Sequence, residues 1–350
     1  MLINLEDKPK RIVPGVGSAT AKIAIVGEAP GSYEDMQLKP FVGPAGTVLE
    51  NCLHASGITR SECYLTNVVK VRPKGNLIDP FFSKTKGTFT ADGIHWVNLL
   101  REELNDQGAN IILACGATAQ AALTGEHKVM KYRGYVFESI GLTEPRKVIP
   151  TIHPAASLSL SEAEWYNKLP PGKYIYRHMI VADMKKAKAE AGTRELVRPN
   201  RQLIYNFQTV NEVLEWLEYY EKASILAFDI EVLNYEISCI SFASDHSIAI
   251  SVPLADKWTE GEELAIYRGI QRVLGNPASI KVAQNAIFDV HFLLTRCGIE
   301  VRGPIHDTMV GHSVMYSELP KSLAFLVSVY GGTQAYYKDM VKFTNLKEES

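Results

Sequence analysis

The sequence predicts an α/β protein of two domains, and three observations carry that expectation. Strand-like runs recur at 22–26, 62–66, 110–114 and 147–152, separated by helix-like segments. This alternation argues for a parallel sheet covered on both faces. A polar and basic stretch, GTRELVRPNRQL at 192–203, then interrupts the pattern and reads as a linker. Beyond it lie an apolar run at 224–232 and two strand-like runs at 237–243 and 247–252, the latter pair joined by a Ser244-Asp245-His246 turn. A length of 350 residues also favours two domains over one.

The composition suits a folded chain with real cores, at 46% hydrophobic residues. Lys plus Arg number 37 and Asp plus Glu 39, a net charge of −2, so any nucleic-acid contact must come from local patches. The N-terminus, MLINLEDKPKRIVPG, lacks the apolar core of a secretory signal. No apolar run approaches the roughly 18 residues of a membrane span. The cysteines at 52, 63, 115, 239 and 297 are scattered without a CxxC, which suggests neither a disulfide framework nor a zinc site. A reducing cytoplasm is the expected compartment.

The first domain is organised around GEAPGSYEDMQLKPFVGPAG, Gly27 to Gly46. It joins the strand-like Ile23–Val26 to a helix whose apolar positions are Val48, Leu49, Cys52 and Leu53. So much Gly and Pro builds a rigid loop whose backbone can approach a ligand closely. Open α/β sheets bind at the carboxyl ends of their strands, and Glu28, Glu34, Asp35 and Phe41 are carried there. A tight connection with solvated acids is the plainer reading. Asn67 falls near the end of the second run, and its amide offers the donor and acceptors that one pyrimidine edge needs. An Asn closing a turn would look the same. Lys70, Arg72, Lys74, Lys84 and Lys86, interleaved with Phe81 and Phe82, could track a phosphate backbone or form a solvated loop. Cys115 reads as core. The fourth run ends in Thr151-Ile152-His153-Pro154, where the proline biases His153 to an extended turn. A structural histidine is the plainer alternative. Val181 to Ala187 opens a charged helix that closes the domain.

GEAPG-x-x-ED, PFVGPAG, YLTNVVKVRP, the CGATA turn, the THP turn and the DMKKA helix occur in this order over residues 20–190. In order and spacing they resemble the family 4 uracil-DNA glycosylases. The resemblance implies a three-layer α/β/α domain over 1–192 that takes a flipped uracil, stacked on Phe41 and read by Asn67. It implies that Gly27, Gly31 and Glu34 shape the pocket, with Glu34 crowding the position of a thymine methyl. Glu28 would serve the sugar, and His153 would stabilise negative charge on the departing base. Glycosidic cleavage develops charge of both signs, so a carboxylate near the sugar and donors near the base oxygens suit it. The family carries an iron–sulfur cluster on four cysteines. Here no cysteine precedes Gly27 and Val71 replaces the cysteine of KCRP, so no cluster is expected. HPA, with Ala155, replaces HPS.

In the second domain Thr209 is placed to cap a helix carrying Val210, Val213, Leu214 and Leu217, and Thr259 with Glu262 forms a capping box. The run 224–232 reads as a buried strand. Asp229 and Glu231 alternate with Ile230 and therefore share a face. Paired carboxylates in an apolar strand call for a cation, and two divalent metals are the obvious partner. Asp289 follows Asn285 at the start of an amphipathic helix. DIE, NAIFD, HDTM with Asp307, and LPKSLAFLVSVYGG resemble the 3′–5′ exonuclease domain of bacterial DNA polymerase I and its phage relatives. That resemblance implies an RNase H-like fold over 204–350, after a linker at 193–203. It gives Asp229, Glu231 and Asp289 the role of catalytic ligands for Mg²⁺ or Mn²⁺. The fourth acid belongs to a Tyr-x-x-x-Asp motif, whose spacing neither Tyr336 nor Tyr337 has with Asp339.

The expected whole is the N-terminal part of a phage-type DNA polymerase acting on uracil-containing or modified DNA. Its polymerase region would lie beyond Ser350 or on a separate chain, its compartment would be the host cytoplasm, and no membrane is involved. The alternative is a non-catalytic base-sensing module on a degenerate exonuclease platform.

Overall fold

The computed structural model describes residues 11–158 and 171–333. They form two compact units. One runs to Val197 and takes in the residues from Ala324 onward; the other is Arg198–Leu323.

In the first unit β1 (Ile23–Gly27) leads through the short α1 (Ser32–Gln37) into α2 (Pro44–Ala55) and β2 (Cys63–Asn67). A small hairpin, β3 (Phe82–Ser83) and β4 (Thr88–Phe89), precedes α3 (Ala91–Asn105), β5 (Ile111–Cys115) and α4 (Ala117–Thr124). The single turn α5 (Val129–Tyr132) is followed by β6 (Phe137–Glu138), β7 (Lys147–Thr151) and α6 (Pro171–Glu190). The main sheet has the order β2-β1-β5-β7-β6, with only β6 antiparallel. Every residue of β1, β2, β5 and β7 is buried. Such strands need cover on both faces, and the continuous apolar runs of β1 and β5 follow from it. Helix α4 packs on β1, β5 and β7, while α6 packs on β5, β7 and α2. Val71, at the position of the family's cysteine, lies in the hydrophobic core.

The second unit begins with β8 (Gln202–Ile204) and α7 (Val210–Glu221), then the long strands β9 (Ile225–Leu233), β10 (Glu236–Ala243) and β11 (Ile248–Pro253). After α8 (Glu260–Gly275) come β12 (Ile280–Ala283), α9 (Ala286–Cys297), β13 (Ile305–Asp307) and α10 (Thr308–Met315). The sheet order is β13-β12-β9-β10-β11-β8. Strands β9, β10 and β11 form an antiparallel meander, and β12 and β13 join β9 in parallel: the RNase H-like arrangement. Thr209 accepts from Glu212 N to cap α7, and Thr259 with Glu262 caps α8.

Several expectations change. Gln202 and Leu203, assigned to the linker, belong to β8, which adds to β11 as an edge strand. Residues of the last helix, α11 (Leu323–Tyr330), group from Ala324 with the first unit and not with the second. The reason is a buried polar contact: the Arg133 guanidinium donates to Ser328 Oγ at 3.0 Å, and Lys186 Nζ to the Ser328 carbonyl at 2.5 Å. Strand β9 is central, yet only its Leu226, Phe228 and Ile230 face is buried; Asp229 and Glu231 are on the exposed face. Tyr336, Tyr337 and Asp339 lie outside the described residues. No helix among the described residues is long and apolar enough to cross a membrane.

Candidate active sites

Strands β1 and β2 run parallel in register and end side by side at Gly27 and Asn67. Two residues past β7 comes His153. These carboxyl ends and the loop from Ala29 to Ala45 line a cavity of about 370 Å³, to which Phe41, Asn67 and His153 all contribute. Gly27 makes their convergence possible. A Cβ there would stand 2.3 Å from Asn67 Oδ1 and 2.7 Å from Phe41 Cζ. Asn67 is 4% exposed, and its carboxamide makes no hydrogen bond with the described residues. A carboxamide at the cavity wall that makes no hydrogen bond in the protein is available to a ligand edge.

Phe41 adopts a left-handed backbone, φ 54°. For an aromatic residue this stores strain of about 1–3 kcal/mol, a cost that clusters at ligand sites. Gly46 permits it, because a Cβ at 46 would stand 2.1 Å from the Phe41 carbonyl. The loop is fixed by Glu34. Its buried carboxylate accepts from Gly31 N at 3.1 Å, Val42 N at 3.0 Å and Gly43 N at 2.8 Å. Glu34 thus lines the cavity and also acts as the clamp that shapes the Phe41 turn, which the motif alone did not reveal.

The Phe41 and His153 rings lie 6.2 Å apart at 27°. Nδ1 of His153 accepts from Ala155 N at 3.2 Å, so in the neutral ring Nε2 carries the proton. Burial holds the imidazole below its ordinary value, against the pull of the Glu28 carboxylate. The result is a neutral N–H donor at the cavity. Glu28 itself is not a lining residue. Its oxygens are taken by Thr118 Oγ1 at 2.6 Å and Lys84 Nζ at 3.2 Å.

The basic cluster is redistributed. Lys70 is buried against Thr66 and Glu103, and Phe81 and Phe82 belong to the core, so none of the three can meet a phosphate. Arg72 instead lines the cavity together with Asn76, which has a φ of 60°. Nothing in the sequence separates Arg72 from its neighbours in this way.

In the second unit Asp289 sits one turn into α9, 4% exposed, and Oδ1 accepts from Ile230 N at 3.0 Å. Ile230 lies between Asp229 and Glu231, so Asp289 is pinned to the strand that carries them. Asp307 accepts from Asn285 N, Ala286 N, Met309 N and Val310 N, and so joins the starts of α9 and α10. Burial pushes the Asp289 carboxyl up to about 6; the Ile230 N–H opposes this, and the charges of Asp229 and Asp307 add to it. Carboxylate oxygens suit a hard divalent cation. Yet among the described residues no group of three or more His, Cys, Asp or Glu is arranged to hold one. The donor chemistry fits a metal; the arrangement of the described residues does not assemble a site for one.

A pH test follows. Asp289 titrates near 6 when folded against an ordinary 3.8. The folded state therefore binds more protons between these values, and stability falls as pH rises through that window. A cation on Asp289 relieves this cost only where the carboxyl is ionised. Mg²⁺ should raise the unfolding temperature more at pH 7 than at pH 5. An equal shift at both would mean the ion binds elsewhere.

Comparison with known proteins accords with both halves. The model of the uracil DNA glycosylase superfamily matches residues 14–169, and a 3′–5′ exonuclease model matches 204–344. The chain is 34% identical over 181 residues to a type-4 uracil-DNA glycosylase of Thermotoga maritima, covering 51% of this chain and 82% of that one. It is 36% identical to the type-4 enzyme of Archaeoglobus fulgidus, over 42% of this chain and 71% of that one. A DNA polymerase of Bacillus phage SP01 is 24% identical over 95% of this chain, which spans only 37% of that polymerase. Through its first half the chain belongs to the uracil-DNA glycosylase superfamily, and its second half is similar to the 3′–5′ exonuclease family.

Proposed function

We propose that the first unit takes a uracil flipped out of DNA and cleaves its N-glycosidic bond. The observation that carries this reading is the cavity at the carboxyl ends of β1, β2 and β7, where an unpartnered Asn67 amide, the Phe41 ring and a neutral His153 meet. Flipping gives access that a stacked duplex denies. The Asn67 carboxamide accepts from uracil N3–H and donates to the adjacent carbonyl. Phe41 stacks on the ring. As the C1′–N1 bond breaks, electrons pass to the base, and His153 Nε2–H donates to the oxygen where charge accumulates. The Glu28 carboxylate balances the positive sugar and orients the water that adds to C1′. Glu34, through the loop it clamps, leaves no room for a thymine methyl.

The second unit is read as a 3′–5′ exonuclease domain whose Asp229, Glu231 and Asp289 supply carboxylate donors of the kind that suit Mg²⁺ or Mn²⁺. The likeness to a phage DNA polymerase along nearly the whole chain supports work alongside a polymerase region, on the same chain or another, in the cytoplasm of a host cell. A second reading has one observation in its favour. No described group of carboxylates is arranged to hold a metal, which favours an exonuclease half that serves as a platform under a base sensor.

Phe41→Ala tests the pocket. Base stacking contributes about 1–3 kcal/mol, so the change should cost roughly 5- to 150-fold in affinity for a single-uracil strand. Binding to a thymine-matched strand should hardly change. Equal affinity for both strands, before and after the substitution, would mean that the cavity does not read uracil.

A further inference from the structure

We infer that Thr118 is a positioning residue that fixes the Glu28 carboxylate and so helps set the rate of the glycosidic step; the inference rests on the glycosylase reading above. Thr118 is fully buried, with 0% exposure, in the first turn of α4. In the first turn of a helix a threonine has no preceding turn whose carbonyl could take its hydroxyl, so the partner must come from elsewhere. Here Oγ1 donates to Glu28 Oε2 at 2.6 Å, the one hydrogen bond it makes among the described residues. A short bond to a carboxylate is of the stronger, charge-assisted kind.

The turn that delivers Thr118 also backs onto His153. Gly116, at φ +89°, joins β5 to α4, and a Cβ there would stand 3.2 Å from His153 Cβ. One rigid turn therefore supports both groups that act on the glycosidic bond. The other Glu28 oxygen is met by Lys84 at 3.2 Å, whose side chain is 57% exposed. An exposed ammonium on a long stem holds a carboxylate weakly. Such an ammonium can exchange Glu28 for a DNA phosphate; the buried hydroxyl cannot. Position is therefore set by Thr118. Nothing at the sequence level marks this pairing, since the partners lie 90 residues apart.

The experiment compares Thr118→Val, which keeps the shape and removes the hydroxyl, with Thr118→Ser, which keeps the hydroxyl. Uracil release from a single-uracil oligonucleotide is followed at several substrate concentrations, with an unfolding midpoint and a crystal structure for each variant. The valine variant should lose about tenfold or more in kcat with KM unchanged, and its Glu28 carboxylate should swing away from α4. The serine variant should stay within about twofold of the parent, with Glu28 in place. If the valine variant does not fold, Thr118→Ala is measured in its stead. A hydroxyl-free variant with the parent's kcat and an unmoved Glu28 overturns the proposal, as does an equal loss in the serine variant. If the parent chain itself releases no uracil, the glycosylase reading fails, and the position of Glu28 in the two crystal structures still decides whether Thr118 holds it.

Discussion

Replacing His153 with alanine should lower uracil release by about 10²–10³-fold in kcat, the effect of losing one donor to a developing oxyanion. KM should change little, because the donor matters chiefly once the base carries charge. The size of the effect follows from how the ring is prepared. The Ala155 N–H holds Nδ1 and leaves the proton on Nε2, and burial keeps the imidazole neutral. A base held below its ordinary value of 6.5 also carries a pH signature. The unfolded chain takes up that proton first, so the His153 contribution to stability is complete above about pH 6.5 and is lost as the pH falls toward the folded value. The alanine variant should lack that part of the acid sensitivity. Steady-state kinetics and acid unfolding of the two proteins check both statements; a rate within a few-fold of the parent would remove His153 from the reaction.

Arg133→Ala should destabilise the first unit by about 3–5 kcal/mol, because it strands a buried carboxylate. Asp183 is 1% exposed, and Arg133 binds both of its oxygens, Nε to Oδ2 at 3.1 Å and Nη2 to Oδ1. Thr151 Oγ1, at 2.7 Å, would be its one remaining hydrogen-bond partner among those described, with the Lys186 charge nearby. Arg133→Lys should not rescue, since one ammonium cannot copy a two-pronged contact. The same cluster predicts that residues 324–330 are part of the first unit's stability. Ser328 accepts from both Arg133 and Lys186, and Phe325 lies 5.3 Å beneath the guanidinium. Ending the chain at Leu323 should cost about 1–3 kcal/mol for each buried donor left without a partner. Urea unfolding of the three proteins measures these differences. An unchanged midpoint on truncation would mean that the contact at Ser328 contributes nothing.

Much of the fold was legible because its signals are local. The strands β1 and β5 are buried on both faces and read as continuous apolar runs, and the caps at Thr209 and Thr259 lie within a few residues of what they cap. Phe41, Asn67 and His153 line one cavity, and short sequence motifs mark all three as candidates. What was missed depends on distant partners. The sequence leaves Lys70 open to a phosphate contact or a solvated loop, and neither holds, because Glu103, 33 residues on, pairs with it in the interior. Glu34 was legible as a pocket residue, but its three backbone donors appear only when the loop closes on itself. The last helix carries the sequence pattern of an exonuclease and packs with the other unit, through a contact that spans 195 residues. Asp229 and Glu231 share a face as their alternation requires. That this face of a central strand is exposed depends on what covers the sheet, which alternation alone does not state.

The most direct test of the account is incubation of the full chain with a single-uracil oligonucleotide in EDTA, followed by alkali. The roles derived for Glu28, Asn67 and His153 need no cation, and EDTA silences any metal-dependent digestion from the 3′ end. The account predicts a strand break at the uracil alone, retained in Asp229→Ala and nearly lost in His153→Ala. No break at uracil above that of a thymine-matched strand would contradict it.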